Sequence, residues 1–198
     1  NALIEASTLN IDATALTSAN AAIQGLPLNV AVAVAVPTAN INVNTGVDLV
    51  STGNMSLNSL AESGVEATAE TDATWIPFTV AGWVVDGLNM EWLKDLQEFL
   101  PKFSVAVGVG VADATTVVAS GSTLSVGDDL TVGAEIGKNQ SVGAEAAGRF
   151  AFSAAVSVFV GDATATIDGT VNAGKDVAVT SAINTDTNEA EATSGFEP

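Results

Sequence analysis

An all-β fold built from a repeated coil is what three features of the sequence predict. A long strand of valines alternating with small residues is written three times, at Val30–Val43 (VAVAVAVPTANINV), Phe103–Val118 (FSVAVGVGVADATTVV) and Phe150–Ile167 (FAFSAAVSVFVGDATATI). Each copy is followed by the same order of glycine-led short strands and then by a tail of small residues. The spacing is ordered as well. Val111 and Val160 stand 49 residues apart and Val36 and Val111 stand 75 apart, the excess falling in residues 71–102. Short strands restarting one motif order three times predict a β-solenoid, in which each coil pairs with the next around a shared core. A β-sandwich is the alternative, since it too strings short strands at regular spacing. A unit of 45–50 residues suggests about two coils of an ordinary parallel β-helix per repeat.

Residues 1–25 alternate with period 2, Leu9 and Ile11 on one side and Asn10 and Asp12 on the other, the signature of a strand with one buried face. They read as the latter part of a repeat whose beginning is missing. The first full repeat spans 26–70, the second 103–149 and the third 150–198, in a single solenoid domain, with strands of about five residues between Gly, Asn and Asp turns. In the second repeat these marks are Ala112-Asp113-Ala114, then GSTLSV from Gly121 and GDDLTV from Gly127; in the third, Gly161-Asp162-Ala163, then GTVNA from Gly169 and GKDVAV from Gly174. On the long strand Val105, Val107, Val109 and Val111 face one way and Ala106, Gly108 and Gly110 the other. The small side admits close approach of another layer or molecule, or lies beneath the chain's own insert.

That insert, 71–102, changes composition abruptly (TDATWIPFTVAGWVVDGLNMEWLKDLQEFLPK) and holds all three tryptophans of the chain. Residues 88–100 predict an amphipathic α-helix, with Leu88, Trp92, Leu96, Phe99 and Leu100 on one face and Glu91, Lys94, Asp95 and Glu98 opposite. Asp86 or Asn89 is placed to cap it and Pro101 to end it. Two uses fit: packing over a sheet, or presenting Trp75, Trp83, Trp92 and Phe99 to a partner subunit or glycan.

The balance of 5 basic against 23 acidic residues, −18 at pH 7, repels nucleic acid and anionic membrane surfaces. No apolar run reaches 18 residues, so no membrane-spanning helix is predicted. With no Cys and no His, Ser-His-Asp and Cys-His nucleophiles, thiolate metal sites and His-ligated zinc are all excluded. Asp113, Asp128, Asp129, Asp162 and Asp176 fall at turns. Asp favours turns for its bonds to nearby backbone, and its alternative use is as an oxygen ligand for calcium held between adjacent coils, although no EF-hand loop or glycine-rich calcium nonapeptide array occurs. A carboxylate pair also suits glycoside hydrolysis, but Lys94, Lys102, Lys138, Arg149 and Lys175 are scattered and the aromatic residues cluster in the insert. No enzyme and no cofactor other than calcium is therefore expected, with a β-helical polysaccharide-degrading enzyme the least favoured reading. Because residue 1 is Asn, the chain is expected to be a processed product or a piece of a longer one.

The order of valine-alanine strand, Asp-Ala-Thr turn, Gly-x-x-Leu-x-Val and Gly-Asp-Asp-Leu-Thr-Val resembles the repeats of large exported bacterial surface proteins, the filamentous-haemagglutinin-like and leukotoxin-like filamentous adhesins. The likeness is carried best by Ala112–Ala134 and Gly161–Thr180, and less well by Val30–Leu57; the Trp-rich insert departs from it. The resemblance implies a right-handed parallel β-helix, an extracellular or cell-surface location, and a structural role as adhesin shaft or as subunit of a filament or sheath. Its partners would be other copies of itself or the rest of a parent chain. A carbohydrate- or calcium-binding module of a secreted protein, with an extracellular or host glycan as ligand, is the alternative.

Overall fold

The structure, a computed structural model, describes residues 2–25, 28–71, 101–148 and 150–195. It is a repetitive, all-β, parallel architecture. Twelve strands run in order: β1 (Ala2–Ala6), β2 (Leu9–Gln24), β3 (Leu28–Ala35), β4 (Thr38–Val43), β5 (Val47–Ser51), β6 (Met55–Thr71), β7 (Lys102–Val118), β8 (Thr123–Val126), β9 (Leu130–Ala147), β10 (Ala151–Ile167), β11 (Thr170–Ala173) and β12 (Val177–Gly195). They fall into three sheets, ordered β1-β5-β8-β11, β2-β6-β9-β12 and β3/β4-β7-β10, and every pairing is parallel. An antiparallel sandwich would pair its strands the other way. The predicted helix at 88–100 lies outside the described residues.

One circuit visits a long strand, a short strand and a second long strand, so β7, β8 and β9 make one coil and β10, β11 and β12 the next. The expectation of two coils per repeat is corrected. Each repeat is one coil, because its long sides are strands of 17–19 residues, split only in the first repeat into β3 and β4, and the third side alone has the short strands anticipated. Adjacent coils stack in register: Val160 beside Val111, an offset of 49, and Ala35 beside Gly110, an offset of 75. Pro37 interrupts the long side between β3 and β4. It lacks an N–H but still accepts one, from Asp113 at 3.1 Å, as a proline on the outermost described strand of a sheet can.

The core is a wedge. Where the short sheet joins the two long ones, the interior is filled by Val43, Leu49, Met55, Leu57, Val118, Leu124, Val126, Leu130 and Val132. Leu124, Val126, Leu130 and Val132 are the apolar positions of the GSTLSV and GDDLTV segments, which is why those motifs repeat. Farther along, the long sheets converge and side chains shrink to Ala39, Ala61, Ala112, Ala114 and Ala134 around Ile136. At the narrow end stand Ala31, Ala33, Ala35, Ala67, Ala69, Ala106 and Ala144 with Val65 and Val142.

The small face of the long valine strand is therefore the inner one. Ala106, Gly108, Gly110 and Ala112 of β7 point into the core, whereas Val105, Val107, Val109 and Val111 point out. The close approach read from the sequence is real, but the second layer is the opposite sheet of the same coil. A β-carbon on Gly108 would sit 2.5 Å from Cγ2 of Val142, and one on Gly110 would overlap the amide of Gln140.

This geometry makes Gly108→Ala and Gly110→Ala destabilising by about 1–3 kcal/mol each, the usual cost of overpacking a filled core. Gly143, on the outer face with nothing within 4 Å of its added β-carbon, tolerates Gly143→Thr with no loss or a gain of about 0.5–1 kcal/mol. Urea unfolding of the three variants checks this ordering.

Candidate functional site: corner turns and outer faces

The corner joining the short sheet to the β2-β6-β9-β12 sheet is a three-residue turn in three successive coils, 52–54, 127–129 and 174–176. The turns stack directly. Gly127 lies on the backbone of Thr52, and Gly174 on the backbone of Gly127, each too close for a β-carbon. The third turn position is Asn54, Asp129 and Asp176, and it forms a ladder: Asn54 Oδ1 accepts from the Asp129 N–H at 3.2 Å, and Asp129 Oδ1 accepts from the Asp176 N–H at 3.2 Å. At the middle position Asp128 pairs with Lys175, Nζ to Oδ1 2.7 Å. The Asp128 hydrogen bond and its charge raise the Lys175 pKa above its ordinary value.

Asp113 and Asp162 lie elsewhere. They are register neighbours on the outer side of β7 and β10, and each accepts from the threonine two residues on, Thr115 Oγ1 and Thr164 Oγ1, at 2.8 Å. The five aspartates singled out for calcium thus occupy two separate places; Asp128 is engaged by a lysine, Asp129 by a backbone N–H, and Asp113 and Asp162 by hydroxyls, while Asp176 takes part through its own N–H. Among the described residues no three acidic side chains come together in a metal-holding group. Trp75, Trp83, Trp92 and Phe99 lie outside the described residues.

The two broad outer faces differ in chemistry. The outer side of β2-β6-β9-β12 is polar and acidic, carrying Asp12, Glu62, Glu66, Glu70, Glu135, Glu145, Glu189 and Glu191. Amides bridge neighbouring coils there: Asn20 to Glu66 and Gln24 to Glu70 at 2.9 Å, and Asn184 to Glu135 at 2.5 Å. Glycines open shallow depressions in it, one of about 360 Å³ lined by Leu16, Glu62, Gly64, Gly137, Asn139 and Asp186, another of about 430 Å³ around Asp12, Asn58, Gly133 and Glu135. The outer side of β3-β7-β10 is apolar over most of its length, with Val30 51% and Val160 58% exposed.

One polar cluster was not legible in the sequence. Lys138 and Gln140 of β9 point inward and are buried at 6% and 0% exposure. Lys138 Nζ lies 4.7 Å from the centre of the Phe159 ring, a cation–π contact. Gln140 donates to the Val158 carbonyl at 3.3 Å and its Oε1 lies 2.7 Å from Ser157 Oγ. The space that Gly110 leaves is what admits the Gln140 amide. Burial pushes the Lys138 pKa below its ordinary value, since desolvation disfavours the ammonium. The cluster sits between the two long sheets, and Lys138 also borders the depression lined by Leu16, Glu62 and Gly64.

Two outcomes follow from these contacts. Asp129→Ala removes an acceptor from the ladder and costs about 0.5–1.5 kcal/mol, whereas Asp129→Asn keeps stability, because Asn54 does the same work one coil earlier; thermal melts of both distinguish them. For Lys138, the folded pKa is lowered, so the unfolded chain binds the proton more tightly. The cost of burying the charge is fully present below the folded pKa and disappears as pH rises past about 10.5. Lys138→Met is therefore the more stable chain at neutral pH, and its advantage shrinks as pH approaches 10.5 and above, as denaturant midpoints across that range will read.

No protein-family model, curated protein or solved structure matches this chain.

Proposed function

We propose that this chain is a stretch of an extracellular β-solenoid, a right-handed parallel β-helix, that serves mechanically: as the shaft of a bacterial surface adhesin or a subunit of a surface filament or sheath. The observation that carries the reading is the uniform stacking of coils. All three sides of each coil pair in parallel register with the next, and the corner turns are tied together by their own ladder of side-chain bonds. Force along the stack is then shared by three hydrogen-bonded sheets and a continuous core, the quasi-one-dimensional arrangement of repeat proteins.

The core rows continue through the last described coil. Val177, Val179 and Ile183 stand in register over Leu130, Val132 and Ile136 and are 47–50% exposed. A further coil, from a parent chain or from a second copy, pairs on this rung and covers those side chains. The acidic surface keeps such an assembly soluble and turns it away from nucleic acid.

Native material examined by negative stain and light scattering is expected to show rods or fibres, or a rod-shaped segment within a longer parent. A compact, monodisperse globule that never elongates over a range of concentration overturns the proposal. Substituting Val179→Asp weakens end-on pairing and shortens any filament, while coils within the chain keep their far-UV signal.

A further inference from the structure

The outer side of the β3-β7-β10 sheet is apolar in a way that strand propensity alone does not require. Threonine serves a strand about as well as valine, and farther along the same side the outward rows are polar: Thr38, Asp113 and Asp162, then Asn40, Thr115 and Thr164. Between Leu28, Phe103 and Phe152 at one end and Val36, Val111 and Val160 at the other, five consecutive rows hold only valine, phenylalanine, leucine and one alanine. Phe103 and Phe152 stack with ring centres 5.4 Å apart. No side chain in these rows is charged.

At about 6.7 Å per row and about 4.8 Å per strand, the rows have a footprint of roughly 450 Å². Their accessible surface is larger, because ten of the fifteen side chains are 40–61% exposed. At about 80 Å² for each of those ten, the apolar surface is on the order of 800 Å². That exceeds the largest apolar patch of an ordinary monomer, about 300–600 Å², and equals the roughly 800 Å² per partner that a stable interface buries. Its shape is that of a sheet face, which packs on another sheet face about 10 Å away. Its charge points to the same occupant. Two copies meeting here carry their acidic faces on opposite outsides, about 30 Å apart across two wedges and the new contact, several times the Debye length of about 8 Å.

We infer that the outward phenylalanine and valine rows of β3, β7 and β10 are a lateral interface between two copies of this chain, packed sheet against sheet about a twofold axis. The same patch then serves both partners. Val107, in the middle row of the middle strand, lies nearest the axis and meets its own counterpart, whether the axis runs along the strands or along the stack of coils. The contact is sideways and stands whether or not coils also pair end on.

Sedimentation equilibrium of the full chain carrying Val179→Asp, in which end-on pairing is weakened, reads the lateral contact by itself. The mass is expected to rise with concentration to twice 19.7 kDa. Hydroxyl-radical labelling of Phe103 and Phe152 is expected to fall in step, while Leu3 and Leu16, exposed on other faces, stay labelled. Adding Val107→Glu sets two carboxylates against each other at the axis and is expected to raise the dissociation constant about 100-fold, with the far-UV signal unchanged. Because the chain has no cysteine, a single Val107→Cys gives a second reading. Oxidation is expected to join it to its counterpart, whereas Ser141→Cys, on the acidic face, stays unlinked. A single-chain mass at every concentration overturns the inference, whether the two phenylalanines are then labelled or protected. So does a dimer that Val107→Glu leaves intact, or one that Ser141→Cys cross-links and Val107→Cys does not.

Discussion

The distance between the two long sheets is the constraint on which the rest of the structure depends. Over the narrow part of the wedge they approach so closely that one sheet offers alanine, glycine and serine where the other offers valine, isoleucine and glutamine. Gly108 lies against Val142, and Gly110 against Gln140. A flat coil of this kind has little interior volume per residue, so its stability comes from many small contacts in register, and not from a few large side chains. The large ones are kept for the short side, where three sheets meet and Leu49, Leu124 and Met55 fill the angle. The interior therefore prescribes residue size along each long strand, and every coil must repeat the same taper at the same place.

Stacking imposes a second condition at the corners. Where a turn lies directly on the one before it, its first position has no room for a side chain, which is why Gly127 and Gly174 sit where they do, and the last position carries the bridge from Asn54 to Asp129 and from Asp129 to Asp176. The aspartates thus act between coils as much as within their own turns. An Asn and an Asp are interchangeable as acceptors here, so hydrogen bonding between coils accounts for Asp129, and the Lys175 ion pair for Asp128. The Asp113 and Asp162 pair is likewise satisfied locally, by Thr115 and Thr164.

Much of this was legible in the sequence, and the exceptions have a common cause. The 49- and 75-residue offsets between valine strands equal the observed registers, because a strand motif copied whole keeps its spacing. The long strands β6, β9 and β12 read as small-residue tails instead, since inward Ala61, Ala67 and Ala69 alternate with outward Glu62, Glu66 and Thr68 at low hydrophobic contrast. Nor does period-2 alternation say which of two apolar faces is the inner one. On β7 the valines are the natural candidates for a core and the glycines for a surface, yet the narrow wedge reverses them. Lys138 and Gln140 escaped notice for the same reason: a polar pair at inward parity becomes intelligible only when Gly110 and Phe159 are seen opposite.

This reversal bears on how the molecule meets others. Its charge is gathered on one broad face and along the corners, and the opposite face bears none between Leu28 and Val160. Lateral approach of two such molecules by their acidic faces is opposed by like charge over a Debye length of about 8 Å at physiological salt. The apolar face carries no such opposing charge, and the valine rows of three coils meet on it at β7. Along the axis, by contrast, the register and the core rows of successive coils are complementary. The asymmetry between faces is in this sense the counterpart of the ladder: one sets what the coil pairs with, the other what it avoids.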